Sequence, residues 1–249
     1  MPRFFVRSDQ IENGTVTILG EDAHHISRSL RMAVGESITV SDMQRRVYYC
    51  RLSAFLPDRV LAVVEREEQA DTEPPYTVTL YQALLKGDKL DTVIQKAVEC
   101  GAARIVPFES ERCVVRCKPE AEAHKTERRC RIAREAAKQC GRGILPEVLP
   151  TVSFLEMLTR VSAADTVIFC YEGENTEPIG AFLARNLPRA GSELAVIIGS
   201  EGGFSLSEVE QARSCGFVPI GLGKRILRAE TAPTFALACI ACIHELQGE

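Results

Sequence analysis

No stretch of this sequence is long and apolar enough to span a membrane. The longest strongly apolar run, Phe235 to Ile243, has nine residues, where a spanning helix takes roughly 18 or more. The opening decapeptide MPRFFVRSDQ lacks an apolar h-region and a small-residue cleavage site, so a soluble, unexported, cytoplasmic protein is expected. Neither a G-x-G-x-x-G fingerprint nor a G-K-[ST] Walker loop occurs, which removes the usual dinucleotide and NTP cradles. Internal repeats and low-complexity tracts are also missing. The ten cysteines are spread thinly over 249 residues. Several of them (Cys130, Cys140, Cys239, Cys242) fall in helix-like patterns. Without an export signal they are expected as reduced, partly buried thiols rather than a disulfide framework. Cys113, Cys117, His124 and Cys130 could supply four zinc ligands, but their spacing is irregular and three lie in or near a basic helix. No metal is expected.

What is present is ordinary globular composition, 45% hydrophobic and 26% charged, in a chain long enough for one or two domains. The net charge of −4 argues against a generic polycation. Its distribution is uneven, because the segment from Arg112 to Arg142 holds ten Lys/Arg against four Glu. Such a footprint suits a polyanion, and equally a solvated helix face laced with ion pairs.

Short alternating runs recur at Thr15–Leu19, Glu36–Val40, Arg46–Leu52 and Val60–Val64, separated by Asn13-Gly14, Gly35 and Pro57-Asp58. They predict a small β domain over residues 1–72, with a helical turn or two around Asp22 to Arg31. Glu65 to Pro75 is charged, then Pro-rich, and reads as a linker. From residue 73 strands and helices alternate, predicting an α/β domain over 73–249 with a mostly parallel sheet. Its strands are Thr77–Leu85, Ile105–Phe108, Thr166–Tyr171, Leu194–Ile198 and Val218–Leu222. Its helices are Lys89–Cys100, ended by Gly101; the basic helix Pro119–Cys140; one opened by the capping box Ser205-Leu206-Ser207-Glu208 and ended by Gly216; and Glu230–Leu246. On the basic helix, Ile132, Ala136 and Cys140 share one face.

Two glycine-bearing loops follow predicted strands: Ile198-Gly199-Ser200-Glu201-Gly202-Gly203 and Gly221-Leu222-Gly223-Lys224-Arg225-Ile226-Leu227-Arg228. Glycine lets a backbone approach a ligand closely, and open α/β sheets bind ligands beyond the carboxyl ends of their strands. One such loop is usually an ordinary turn; two at strand ends suggest a shared pocket. Arg228-Ala229-Glu230-Thr231-Ala232 then opens a helix, with Thr231 able to cap it. Arg228 and Glu230 either serve that helix start or face the pocket.

These two segments resemble the RsmE family, bacterial methyltransferases of the SPOUT superfamily that methylate N3 of one uridine in 16S ribosomal RNA with S-adenosylmethionine. The resemblance extends over nearly the whole chain through Arg3-Phe4-Phe5, His25 with Leu30-Arg31, Lys86-Gly87-Asp88-Lys89, the Gln95–Gly101 segment, Ser110-Glu111-Arg112 and the Glu135–Arg142 segment. Ser200 departs from it, standing where the family usually has proline. The resemblance implies a PUA-like β-barrel ahead of an α/β SPOUT domain with a C-terminal trefoil knot, in a homodimer acting on the small ribosomal subunit. It implies cofactor contacts from Ile198, Gly199, Gly202, Gly203, Leu222, Gly223, Ile226, Leu227, Arg228, Thr231 and Ala232. RNA contacts are expected from Arg3, His25, Arg28, Arg31, Lys86, Arg112, Arg128, Arg131, Lys138 and Arg142, although His25 taken alone reads more readily as a structural histidine than as an RNA contact. Because N3 of uracil must lose a proton before it attacks, Glu201 or Glu230 is the candidate base and Arg228 the stabiliser of charge on the uracil oxygens. A catalytically silent RNA-binding protein and a ribose 2′-O-methyltransferase are the alternatives.

Overall fold

Alternation and turn chemistry set the N-terminal strands. In the computed structural model, which describes residues 1–186 and 189–245, these strands are β1 (Arg3–Phe5), β2 (Ile11–Glu12), β3 (Thr15–Leu19), β4 (Ser37–Ser41), β5 (Arg46–Phe55) and β6 (Arg59–Gln69). Helix α1 (Gly20–His24) follows β3 and continues as a wider turn over His25–Ser29. The sheet order is β1-β4-β5-β6-β3-β2, with β1 parallel to β4 and the other pairs antiparallel. Asn13 and Gly14 both take positive φ, 49° and 73°, which gives the β2–β3 hairpin its tight turn. Phe4, Val16, Ile18, Ile26, Ile38, Leu52 and Ala62 fill the core of this sheet.

The stretch expected as a linker is half strand. Glu65 to Gln69 prolong β6 and pair with β5, Glu67 opposite Tyr48 and Gln69 opposite Arg46. All five side chains are exposed, so composition reads as loop. Ladder hydrogen bonds and cross-strand charges, Arg51 with Glu65 at 2.6 Å and Arg66 over the Tyr49 ring at 4.1 Å, hold the strand instead.

The chain divides into two compact units, Met1–Glu73 with Ala137–Leu145, and Pro74–Ala136 with Pro146–Glu249. Within the first, Arg3 Nη1 donates to the carbonyls of Gly141 (2.6 Å) and Arg142 (3.1 Å). Ser41 Oγ donates to the Gly143 carbonyl at 2.7 Å. Arg142 is buried in an ion pair with Glu73 at 2.7 Å.

The second unit contains β7 (Thr77–Ala83), α2 (Lys89–Glu99), β8 (Arg104–Glu109), α3 (Pro119–Cys140, whose last turn falls in the first unit), β9 (Glu147–Val148), β10 (Val152–Ser153) and α4 (Phe154–Val161). It continues with β11 (Thr166–Cys170), β12 (Glu177–Pro178), α5 (Ile179–Arg185), β13 (Glu193–Ile198), α6 (Leu206–Ser214), β14 (Pro219–Gly221) and α7 (Ala232–His244). All pairings in its sheet are parallel, in the order β10-β8-β7-β13-β11-β14-β12, with β9 also on β8. Gly101 has φ 88° where α2 ends, and Ser205 with Glu208 forms the capping box of α6. Helix α4 went unassigned from sequence although Phe154, Met157, Leu158 and Val161 stand at helical spacing and are buried; the short α5 was also missed.

On α3 the buried positions are Arg129, Ala133, Ala136 and Ala137, so the stripe is rotated from the expected Ile132–Cys140 face. Arg129 is tolerated there because Glu122 pairs with it at 3.1 Å, while Thr151 donates its amide and hydroxyl to the same Glu122 oxygen. The last helix begins at Ala232, after Glu230, and Leu246 lies outside the described residues. All ten cysteines are free thiols. No helix among the described residues is long and apolar enough to cross a membrane.

Candidate cofactor and catalytic site

Three adjacent strands, β13, β11 and β14, end on one side of the parallel sheet, and the loops that follow them enclose a cleft of about 520 Å³. This is where an open parallel sheet offers loop backbone to a ligand. The first glycine loop follows β13 and is anchored from behind by Phe204. The Phe204 ring lies 4.7 Å from that of Phe169 and stacks on that of Phe108 at 6.3 Å. A Cβ on Gly199 would stand 3.1 Å from the Phe204 ring, tight against an anchored ring, so glycine fits best there. Gly203 adopts φ +65°, and a Cβ on it would meet Glu172 Oε1 at 2.9 Å. In the second loop, Gly223 has φ +108°, a backbone region that L side chains rarely adopt.

Of the residues expected to hold a cofactor, Ile198, Gly199, Gly203, Leu222, Gly223, Ile226, Leu227, Arg228 and Ala232 line the cleft. Gly202 and Thr231 do not. Gly202 turns toward Arg112, whose Cβ would lie 3.2 Å from an added Cβ, and its carbonyl accepts from Arg112 Nη1 at 3.0 Å. Thr231 occupies the N-cap of α7 without making the side-chain capping bond that its position suggested.

Glu201 and Glu230, the two candidate bases, also line the cleft, and they differ in their surroundings. Glu201 Oε1 accepts from the Lys86 amide and from Lys89 Nζ, each at 3.1 Å. Burial pushes its carboxyl up, but backbone amides and Lys89 outweigh that and hold it below the usual range. Glu230 Oε2 is buried and accepts no hydrogen bond. Its contact with Lys89 Nζ, 3.5 Å, is a charge pairing outside hydrogen-bond geometry.

Sequence reasoning missed Lys89, Tyr171, Glu172, Gly173 and Thr176 as members of the cleft. Lys89 was legible only as part of a weak four-residue motif. Tyr171 to Thr176 belong to the β11 loop, and only the pairing of β11 between β13 and β14 brings them in.

The residues expected on RNA separate by exposure. Arg28, Arg31 and Arg131 are exposed and, among the described residues, carry no ion pair. Lys86 and Arg112 are exposed near the first glycine loop. Arg128 is exposed but pairs with Asp91, and His25 sets its ring edge-on to Phe4 at 6.4 Å. Three of the expected cations hold protein partners. Arg142 is buried against Glu73, Lys138 is held by Asp22 at 2.9 Å, and Arg3 caps the Gly141 and Arg142 carbonyls. Each cation is committed to a local partner that a phosphate would have to displace. The zinc candidates also go elsewhere: Cys113 Sγ bonds the Leu84 carbonyl, Cys117 Sγ bonds Glu122 and Cys130 Sγ bonds the Val148 carbonyl. No group of three or more His, Cys, Asp or Glu suited to a metal occurs among the described residues.

Fold and cleft together define an α/β enzyme domain of the RNA methyltransferase class, and the family described as RNA methyltransferase domain matches residues 72–241. The ribosomal RNA small subunit methyltransferase E of Bacillus subtilis is 37% identical over 99% of this chain and 98% of its own length. That of Synechocystis is 35% identical over 98% of this chain and 78% of its own. The Neisseria gonorrhoeae enzyme of the same name, solved bound to S-adenosyl methionine, superposes with TM-score 0.84 at 31% identity, covering 98% of both chains. A putative methyltransferase from Legionella pneumophila, in complex with the bound cofactor SAM, gives 0.85 at 28%, covering 97% of both. The chain belongs to the ribosomal RNA small subunit methyltransferase E family.

Proposed function

We propose that this protein methylates N3 of a uridine in small-subunit (16S) ribosomal RNA, with S-adenosylmethionine as methyl donor. The observation that carries the reading is the pair of glycine loops closing one cleft that holds two carboxylates in unlike environments, in a chain of this family.

The cleft suits that donor. Gly199, Gly203 and Gly221 pack tightly on Phe204, Glu172 and Thr176 without a Cβ, which holds the loop backbone in place around the cleft. Leu222, Leu227 and Ala232 offer apolar surface to its adenine and methionine portions. Glu172, Glu201 and Glu230 give an electrostatically favourable setting for a cation. When bound, the donor supplies a methyl group on a positively charged sulfur; the N3–C bond forms as the S–C bond breaks, its electron pair staying on sulfur.

The chain's own residues position the base and move its proton. Glu230, which lines the cleft and accepts no hydrogen bond at Oε2, is the proposed acceptor of the N3 proton. Glu201, already engaged by two donors, is the poorer base. Arg228 faces the cleft and stabilises the negative charge that develops on the uracil oxygens. The remaining cofactor contacts are those expected from Ile198, Gly223 and Ile226, with Gly202 and Thr231 acting from behind the lining.

For the wider molecule we propose a PUA-like barrel over residues 1–72 and a knotted SPOUT domain over 73–249, in a cytoplasmic homodimer. The position of β13 between β7 and β11, although β11 precedes it in sequence, supports the knotted reading. RNA contact is proposed for Arg28, Arg31, Lys86, Arg112, Arg128 and Arg131, with His25 beside them.

Calorimetric titration with S-adenosylmethionine should give about one site per chain. Transfer of labelled methyl to small-subunit RNA, followed by nucleoside digestion, should yield 3-methyluridine. A 2′-O-methylated nucleoside, or no transfer at all, would overturn the assignment.

A further inference from the structure

A cation in the first turn of a helix stands at the wrong end of the helix dipole, which favours anions there. Lys89 is nevertheless the first residue of α2. Its Nζ lies 3.1 Å from Glu201 Oε1 and 3.5 Å from Glu230 Oε2. Glu201 comes from the loop after β13 and Glu230 from the segment before α7, so one ammonium joins carboxylates from both loops of the cleft. The three side chains are about one-quarter to one-third exposed, 35% for Lys89, 27% for Glu201 and 22% for Glu230. The pair is therefore neither fully screened nor sealed away.

We infer that Lys89 is a positioning residue of the methyl transfer, an ammonium strut that spaces Glu201 and Glu230 across the cleft. This rests on the methyltransferase reading. The division of labour follows from the contacts. Glu201 Oε1 accepts a hydrogen bond from Lys89 Nζ at 3.1 Å, and the same ammonium stands 3.5 Å from Glu230 Oε2, so one cation fixes the spacing of the two carboxylates. The interaction with Glu201 raises the affinity of Lys89 for its own proton, so the strut stays cationic at neutral pH. The other charged groups lining the cleft are Glu172, Lys224, Arg225 and Arg228.

The test compares wild type with Lys89→Met and Lys89→Arg. S-adenosylmethionine affinity is measured by calorimetry, and kcat and KM are measured on small-subunit RNA. Lys89→Met should lower kcat at neutral pH at least tenfold. Cofactor Kd and RNA KM should stay within threefold, and Lys89→Arg should recover most of kcat. A Lys89→Met kcat within twofold of wild type would overturn the inference alone. So would a loss of kcat that Lys89→Arg does not recover, or one matched by an equal loss of cofactor affinity. A wild-type chain that binds no S-adenosylmethionine and transfers no methyl group would overturn the underlying reading.

Discussion

Gly223→Ala isolates the backbone contribution of the second glycine loop to cofactor binding. Nothing lies within 4 Å of a Cβ built at this position, so the substitution introduces no clash. The whole effect comes from φ +108°, a conformation that costs a residue with a Cβ about 1–3 kcal/mol. In the free protein the exposed loop can relax, which leaves the thermal midpoint nearly unchanged. Binding requires the wild-type loop shape, so the cost reappears as lost affinity, about 5- to 150-fold in Kd. Gly180→Ala is the control: Gly180 lies in α5, without positive φ and with nothing within 4 Å of its Cβ. There alanine should add up to about 1 kcal/mol of stability and leave affinity alone. Calorimetric titration of both variants with S-adenosylmethionine reads the difference. A Gly223→Ala Kd within twofold of wild type, or equal weakening by Gly180→Ala, would refute the argument that loop conformation shapes this site.

Glu230→Gln should lower kcat by about 10²- to 10⁴-fold with cofactor Kd retained, whereas Glu201→Gln should have the smaller effect; single-turnover assays of both variants decide. Glu73→Ala removes the carboxylate that pairs with the buried Arg142 guanidinium, which is 4% exposed, and should cost about 3–5 kcal/mol. At about 2–4 °C per kcal/mol for a chain of this size, the thermal midpoint should fall by about 6–20 °C. A fall under 2 °C would show that water or another group replaces the carboxylate. Burial pushes the Glu122 carboxyl up, but Cys117, Thr151 and Arg129 outweigh it and bring it to about 2. Its folded value thus lies below the unfolded one, so its stabilisation is complete above about pH 4.5 and is lost as pH falls toward 2. Glu122→Gln should flatten that part of an acid-unfolding curve. Arg131→Glu should weaken RNA binding, reduce its salt dependence and spare cofactor affinity; filter binding at several salt concentrations tests this.

Much of the fold was legible because short-range rules govern it. Asn13-Gly14 specifies a hairpin turn through positive φ, Ser205 with Glu208 specifies a helix start, and the bounds of the long helix Pro119–Cys140 match its basic, breaker-free sequence. The two glycine loops were legible as ligand loops since each follows a strand. Composition misled where pairing decided: Glu65 to Gln69 look like linker yet extend β6, because backbone ladder bonds do not depend on side-chain polarity.

The sequence by itself determined most of the element types, the α/β class of the larger part and the two glycine loops at strand ends. Only the tertiary structure decided which cations are available to a ligand. Arg142, Lys138 and Arg131 all belong to one basic segment, but Glu73 and Asp22 occupy the first two while Arg131 remains exposed. It also decided which glutamate is engaged by hydrogen-bond donors, because those around Glu201 come from Lys86 and Lys89, more than a hundred positions away in sequence. Local propensity is written into neighbouring residues. A carboxylate's basicity is set by the charges and hydrogen bonds that folding brings to it across the sheet.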